Sequence, residues 1–265
     1  ETALLAAQMG VEVTLVESGH VGGTCLNEGC IPTKSFCRNA EIVDSLREAS
    51  SFGITDLSYG FDFKSVVERK NAVVEQLRGG VETLLRHKLI TLVRGKAVFK
   101  DQHTVTVDST DYTADYIIIA TGSVSSSLPV DGADAPGILT SREILDIETL
   151  PERLCVIGGG VIGLEFASVF RSFGCEVTVL EYCKDILPRF DTDLAKRLKQ
   201  SLTKRGIEII TQAQVTGISY DGASYKVTYN RKDKEESVES DKVLMAVGRR
   251  ANLQSLNFSD IGIET

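Results

Sequence analysis

A repeat constrains this chain more than any other feature. Residues 165–181, "EFASVFRSFGCEVTVLE", restate residues 1–17, "ETALLAAQMGVEVTLVE", at an offset of 164. Seven of the seventeen positions are identical: Glu1, Ala3, Gly10, Glu12, Val13, Thr14 and Glu17 in the first copy. In that copy, helical apolar spacing runs to a glycine stop at Gly10, and a strand-like stretch then ends in Glu17. The same helix-to-strand pattern used twice points to an α/β chain built from two βαβ units.

The second copy also keeps what should come before the helix. "LCVIGGGVIGL" is an apolar strand running into Gly158-x-Gly160-x-x-Gly163 at a helix N-terminus, with Glu181 closing the following strand. In that setting the glycines are a dinucleotide fingerprint. Gly158 permits the turn, Gly160 lets a pyrophosphate approach the backbone, and Gly163 lets helix and strand pack closely. The helix N–H groups and dipole would hold the phosphates. Glu181 can accept from a ribose diol and would repel a 2′-phosphate, and "EYCKD" offers no arginine to receive one, so NAD is expected over NADP. By the same logic Glu17 would serve a second dinucleotide. The fold class expected is therefore α/β with two Rossmann-like, dinucleotide-binding βαβ domains, the first incomplete because its own glycine loop is missing.

Net charge −8 argues against nucleic acid or an anionic membrane surface as a partner. No apolar run is long enough to span a bilayer and no signal-peptide pattern is present, so a cytoplasmic protein is expected. Of the six cysteines, Cys25 and Cys30 lie close together in "GGTCLNEGCIPTKSFC". His20, His87 and His103 are not in ligand spacing with them, so no metal site is expected. Buried, inert thiols suit Cys155 and Cys175 on or beside apolar strands. They do not suit Cys25 and Cys30, whose neighbours Gly22, Gly23, Asn27 and Gly29 make a polar, backbone-exposed turn. A structural disulfide there would close a loop too short to stabilise much. A redox couple remains, with Cys30 entering a helix whose dipole favours a thiolate and whose first turn suits Pro32.

"GGTCLNEGCIPTK", "IIIATGS", "VIGGGVIGLEFASVF", "VTVLE", "ILPRFD" and "AVGRR", in that order, make the chain resemble the flavoprotein disulfide reductases, and among them the dihydrolipoyl dehydrogenases more than the glutathione or mercuric reductases. The resemblance implies oxidation of protein-bound dihydrolipoamide with hydride transfer to NAD, through FAD and a redox disulfide. It makes Cys25 the interchange cysteine, Cys30 the thiolate against the flavin, Lys34 the lysine near the reactive flavin nitrogen and Glu165 its ion-pair partner. Glu17, Gly22, Gly23, Thr24, Gly95, Thr121, Gly122 and Ser123 match FAD contacts. Gly158, Gly160, Val161, Ile162, Gly163, Glu165, Glu181, Val215 and Gly248 match positions at bound NAD. The implied partners are the lipoyl domain of a 2-oxoacid dehydrogenase or glycine cleavage complex and a second copy in a homodimer.

The boundaries expected are 1–147 for an FAD-binding domain, 148–248 for an NAD-binding domain and 249–265 for the return to the FAD or central region. Relative to the family pattern the chain lacks the later glycine-aspartate segment and the dimer-interface domain with its acid–base histidine. A fragment that does not turn over alone, but keeps NAD binding, is therefore expected. Helical spacing over 62–88 predicts one long helix, and "YIIIATG" predicts a buried strand ending in a turn.

Overall fold

The computed structural model describes residues 1–253 and 256–264. Six α-helices are present among them: α1 (Thr2–Gln8), α2 (Gly23–Glu28), α3 (Cys30–Glu48), α4 (Phe63–Leu84), α5 (Val161–Phe173) and α6 (Thr192–Lys204). The chain forms two compact units. The first comprises Glu1–Asn27, Ala72–Val124 and Ala251–Thr265, the second Glu28–Asn71 and Ser125–Arg250.

The second unit is organised on a five-stranded parallel sheet. Its spatial order is Ile207–Thr211, Glu176–Glu181, Arg153–Ile157, Lys242–Met245 and Ile138–Leu139. Because side chains alternate along a strand, Arg153–Ile157 feeds two cores at once. Leu154 and Val156 pack with the helices, while Cys155 and Ile157 pack with Val215, Ile218, Tyr225, Val227 and Tyr229 of an antiparallel meander. That meander is Gln214–Tyr220, Tyr225–Arg231 and Lys234–Ser240. Helix α5 follows Arg153–Ile157 and ends at Gly174, whose φ of +113° supplies the left-handed cap. Helix α6 begins where the Asp191 carboxylate accepts the backbone N–H groups of Asp193 and Leu194.

An aromatic cluster explains why 28–71 belongs to this unit. Phe36 of α3 and Phe63 of α4 lie 6.1 and 6.0 Å, centroid to centroid, from Phe173 of α5. Phe63 also meets Phe170 at 6.2 Å. These contacts are remote in sequence, and they cut across linear boundaries at 147 and 248. Those boundaries concern nucleotide binding rather than packing. Within the expected 249–265 segment, residues 254, 255 and 265 lie outside the described residues.

The first unit has a parallel pair, Val13–Glu17 with Ile90–Arg94, in register from Val13↔Ile90 to Glu17↔Arg94. An antiparallel set, Val98–Asp101, Thr104–Val107 and Thr110–Thr113, completes its strands of four residues or more. The long helix expected over 62–88 is α4, and it continues unbroken through Gly79 and Gly80. "YIIIATG" departs from expectation. Residues 116–122 belong to no strand among the described residues, and Tyr116, Ile118 and Ile119 are 90%, 70% and 41% exposed. An apolar run becomes a buried strand only where neighbours cover both its edges and faces, and here they do not.

Candidate functional site

The glycine loop joins Arg153–Ile157 to α5 at the carboxyl edge of the parallel sheet. The carboxyl ends of the strands are where open α/β sheets bind ligands. The three fingerprint glycines do different things there. Gly158 has φ of +112°, and a Cβ on it would sit 2.4 Å from the Ala246 carbonyl oxygen. A Cβ on Gly163 would lie 2.1 Å from the Gly158 carbonyl oxygen, so the helix can approach the loop only without one. Gly160 is the N-cap of α5, in extended backbone with no side-chain cap. A Cβ there would meet nothing within 4 Å, so its space is open to a ligand rather than needed by the fold. The first N–H groups of α5 have no intrahelical acceptors, and the positive helix end faces that space.

Glu181 fixes the far end of this edge. It is buried, with one carboxylate oxygen accepting from the Gly159 N–H at 2.6 Å and the other from the Cys183 N–H at 2.6 Å. The Cys183 thiol donates to the same carboxylate, and burial together with that bond raises its pKa. Glu181 is therefore an oriented acceptor with about one of its roughly four lone-pair sites left after these three donors.

A depression of about 200 Å³ beside the loop is lined by Gly160, Val161, Ile162 and Gly248, as the sequence expects, and by Ser125, Ser141, Met245, Ala246 and Arg249, which the motif does not single out. It is smaller than the roughly 300–1,000 Å³ usual for small-molecule sites. Val215 does not line it, being buried among the meander residues.

Helix α3 carries the second group of residues. It begins at Cys30 with Gly29 as N-cap, so Cys30 does enter a helix, and Pro32 is in its first turn. Phe36, Ala40 and Val43 bury one face of α3. Cys30, Lys34 and Cys37 follow at helical spacing on an adjoining face. Lys34 and Glu165 of α5 form an ion pair whose side chains are 62% and 29% exposed. The hydrogen bond and charge of Glu165 hold the Lys34 pKa above its ordinary value. Cys37 is half-buried, and that burial, followed by the nearby Glu165 charge, pushes its thiol pKa up.

In the first unit, Glu17 and Gly95 close the ends of the parallel pair. The Glu17 carboxylate accepts from the Gly19 N–H at 2.8 Å, and the Gly95 N–H donates to the Glu17 carbonyl at 3.1 Å. Gly95 has φ of +148°, and a Cβ there would lie 2.4 Å from the Val107 side chain. Residues 22–29 are not an open turn: Gly23–Glu28 is the short helix α2. The Asn27 amide holds it by donating to the carbonyls of Val21 and Gly23, both at 3.0 Å. Gly22 and Gly23 enter it at φ of +108° and +70°, with Thr24 beside them. Thr121 donates through its hydroxyl to the Asn252 carbonyl at 2.8 Å, next to Gly122 at φ of +72°. Ser123 opens the short strand Ser123–Ser125. Cys25 and Cys30 are exposed thiols, and Cys155 and Cys175 are buried, with pKa values pushed up by burial to about 12. Among the described residues no group of histidines, cysteines and carboxylates is placed to hold a metal ion, and no helix is long and apolar enough to cross a membrane.

A model of the pyridine nucleotide-disulphide oxidoreductase family matches residues 1–265. Dihydrolipoyl dehydrogenase of Acholeplasma laidlawii is 41% identical over 99% of the chain and 78% of its own length. That of Staphylococcus aureus is 36% identical over 99% of the chain and 57% of its own length. Among solved structures, the HOCl-induced flavoprotein disulfide reductase RclA from Escherichia coli superposes with a TM-score of 0.86 at 32% identity, over 99% of this chain and 57% of that one. The chain thus spans little more than half the length of most of the relatives it matches.

Proposed function

Since the chain belongs to the pyridine nucleotide-disulphide oxidoreductase family, we propose that it is the dinucleotide- and disulfide-bearing part of a dihydrolipoyl dehydrogenase that passes electrons from protein-bound dihydrolipoamide to NAD. The observation that carries this reading is the Lys34–Glu165 pair. It ties the helix that starts at Cys30 to the helix that starts at the glycine loop. The residues fit the two cofactors. Gly158, Gly160, Gly163 and the α5 N-terminus would hold the NAD diphosphate, and Glu181 the adenosine ribose. Glu17, Gly22, Gly23, Thr24, Gly95, Thr121, Gly122 and Ser123 would serve FAD.

In the oxidised enzyme Cys25 and Cys30 form a disulfide. A substrate thiolate attacks the Cys25 sulfur, the Cys25–Cys30 bond breaks, and Cys30 leaves as a thiolate. The second substrate thiol then displaces Cys25 from the mixed disulfide. The substrate becomes a disulfide, the two cysteines take its electron pair, and its protons leave to solvent or a base. FAD held by the residues of the first unit would supply the two-electron chemistry that returns Cys25 and Cys30 to the disulfide, and NAD at the glycine loop would be the final hydride acceptor. Lys34, kept charged by Glu165, supplies a fixed positive charge one helical turn from the Cys30 thiolate.

A disulfide reductase acting on another substrate is the second reading, favoured by the structural likeness to RclA. Absorbance spectra of the chain supplied with FAD, before and after anaerobic dihydrolipoamide, test the proposal. A flavin spectrum that gains a long-wavelength band, lost in Cys30→Ser, is the expected result. Bound flavin that stays unchanged with dihydrolipoamide refutes the substrate. Protein that binds NAD but no flavin confines the chain to nucleotide binding.

A further inference from the structure

The sheet order puts the depression beside the glycine loop on the opposite flank from Glu181. Glu176–Glu181 adjoins Arg153–Ile157 on one side, and Lys242–Met245 followed by Ile138–Leu139 adjoins it on the other. These strands run parallel. Glu181, the loop and Ser141, two residues beyond Ile138–Leu139, therefore all stand at the carboxyl edge, where open α/β sheets hold ligands. A dinucleotide seated by its diphosphate on the loop, with one ribose at Glu181, has its other half over Lys242–Met245 and Ile138–Leu139. That half meets the depression, whose walls include Val161, Ile162, Met245 and Ala246.

Ser141 is the group in this wall that the fold leaves over. It is only 9% exposed, and its hydroxyl makes no hydrogen bond among the described residues. A hydroxyl withdrawn from water without a partner is unfavourable unless a ligand supplies one. The adjacent hydroxyl is used differently. Thr140 donates to the Glu143 carboxylate, which also accepts the Thr140 N–H at 2.8 Å. On the other side Arg142 pairs with Glu28 at 3.2 Å, and Ile144 and Leu145 are buried. Its neighbours thus hold Ser141 in place while its own hydroxyl stays available.

We infer that Ser141 reads the amide of a nicotinamide ring seated in this depression, an inference that rests on the NAD reading above. The apolar walls suit a flat aromatic ring. The ring's carboxamide carries N–H donors and a carbonyl acceptor, and a serine hydroxyl can accept from the one or donate to the other. Ser141 then selects at the head-group end of the ligand as Glu181 does at the adenosine end.

Calorimetric titration of the 265-residue chain with NAD and with ADP-ribose, which has no nicotinamide, tests this. In Ser141→Ala, NAD binds roughly two- to tenfold more weakly, the worth of one hydrogen bond, and ADP-ribose binds as it does to the parent. Parent-like NAD affinity in Ser141→Ala, or an equal loss for both ligands, would overturn the role of Ser141 and leave the dinucleotide reading standing. If neither ligand binds the parent chain, the dinucleotide reading falls and this inference with it.

Discussion

Replacing Gly160 by Ala separates what the fold needs from what a ligand needs. At φ of −79° and ψ of −179° the backbone of Gly160 suits any residue, and the added methyl meets nothing within 4 Å. Alanine is a poorer N-cap than glycine by roughly 0.5–1 kcal/mol. It also restricts the unfolded chain, which returns about 0.4–1 kcal/mol. The two offset one another, so stability should stay within about 1 kcal/mol of the parent in urea denaturation. A diphosphate seated on the α5 N-terminus is another matter, because the methyl occupies the space through which its oxygens reach the backbone N–H groups. Losing one charge-assisted hydrogen bond, about 1.5–3 kcal/mol, weakens NAD binding by roughly tenfold to a little over a hundredfold. Calorimetric titration with NAD measures this. Parent-like affinity in Gly160→Ala would refute the claim that the diphosphate approaches the chain at this residue. Gly158→Ala is the contrast. At φ of +112° alanine costs about 1–2 kcal/mol, and displacing the Ala246 carbonyl from 2.4 Å adds about 1–3. The sum is a large part of a typical domain's total stability of roughly 5–15 kcal/mol.

Glu181→Gln leaves an acceptor for the Gly159 and Cys183 N–H groups on one oxygen only, and should weaken NAD binding while narrowing its preference over NADP; an unchanged NAD-to-NADP affinity ratio would remove Glu181 from the ribose site. Glu165→Gln breaks an ion pair that is mostly exposed on the lysine side, so stability should change by no more than about 1 kcal/mol, whereas the dihydrolipoamide-induced flavin band should fall in the flavin-loaded protein; a large loss of stability would mark the pair as structural. Cys155 has its thiol pKa raised from 9.0 to about 12 by burial, so the neutral form is favoured in the folded state. Its contribution is therefore complete below pH 9 and is lost as pH rises from 9 toward 12. Cys155→Ala should flatten the fall of stability between pH 9 and 11 by up to about 1.4 kcal/mol per pH unit, read from denaturation at stepped pH. An identical slope in the variant would show that another group governs alkaline unfolding.

The features legible in the sequence and those that were not differ in what determines them. The roles of Gly158 and Gly163 follow from one backbone angle and one close approach, properties that a glycine at a given place in a strand–turn–helix announces by itself. The same is true of Gly10, whose φ of +88° is a local property. Residues 22–29 were misjudged as an open turn because the Asn27 amide, by satisfying two carbonyls, makes a short helix out of glycine-rich chain. The membership of α3 rests on Phe36 meeting Phe173, a pairing across 137 positions for which no periodicity gives a signal. Arg249, Ser125 and Ser141 reach the depression only because Lys242–Met245 is inserted beside Arg153–Ile157 after the whole meander has intervened. Residues 116–120 make the point from the other side. Their composition is that of Val243–Met245, yet one triplet is buried and the other is not, so apolar sequence states a demand for neighbours, and only the sheet order decides whether it is met.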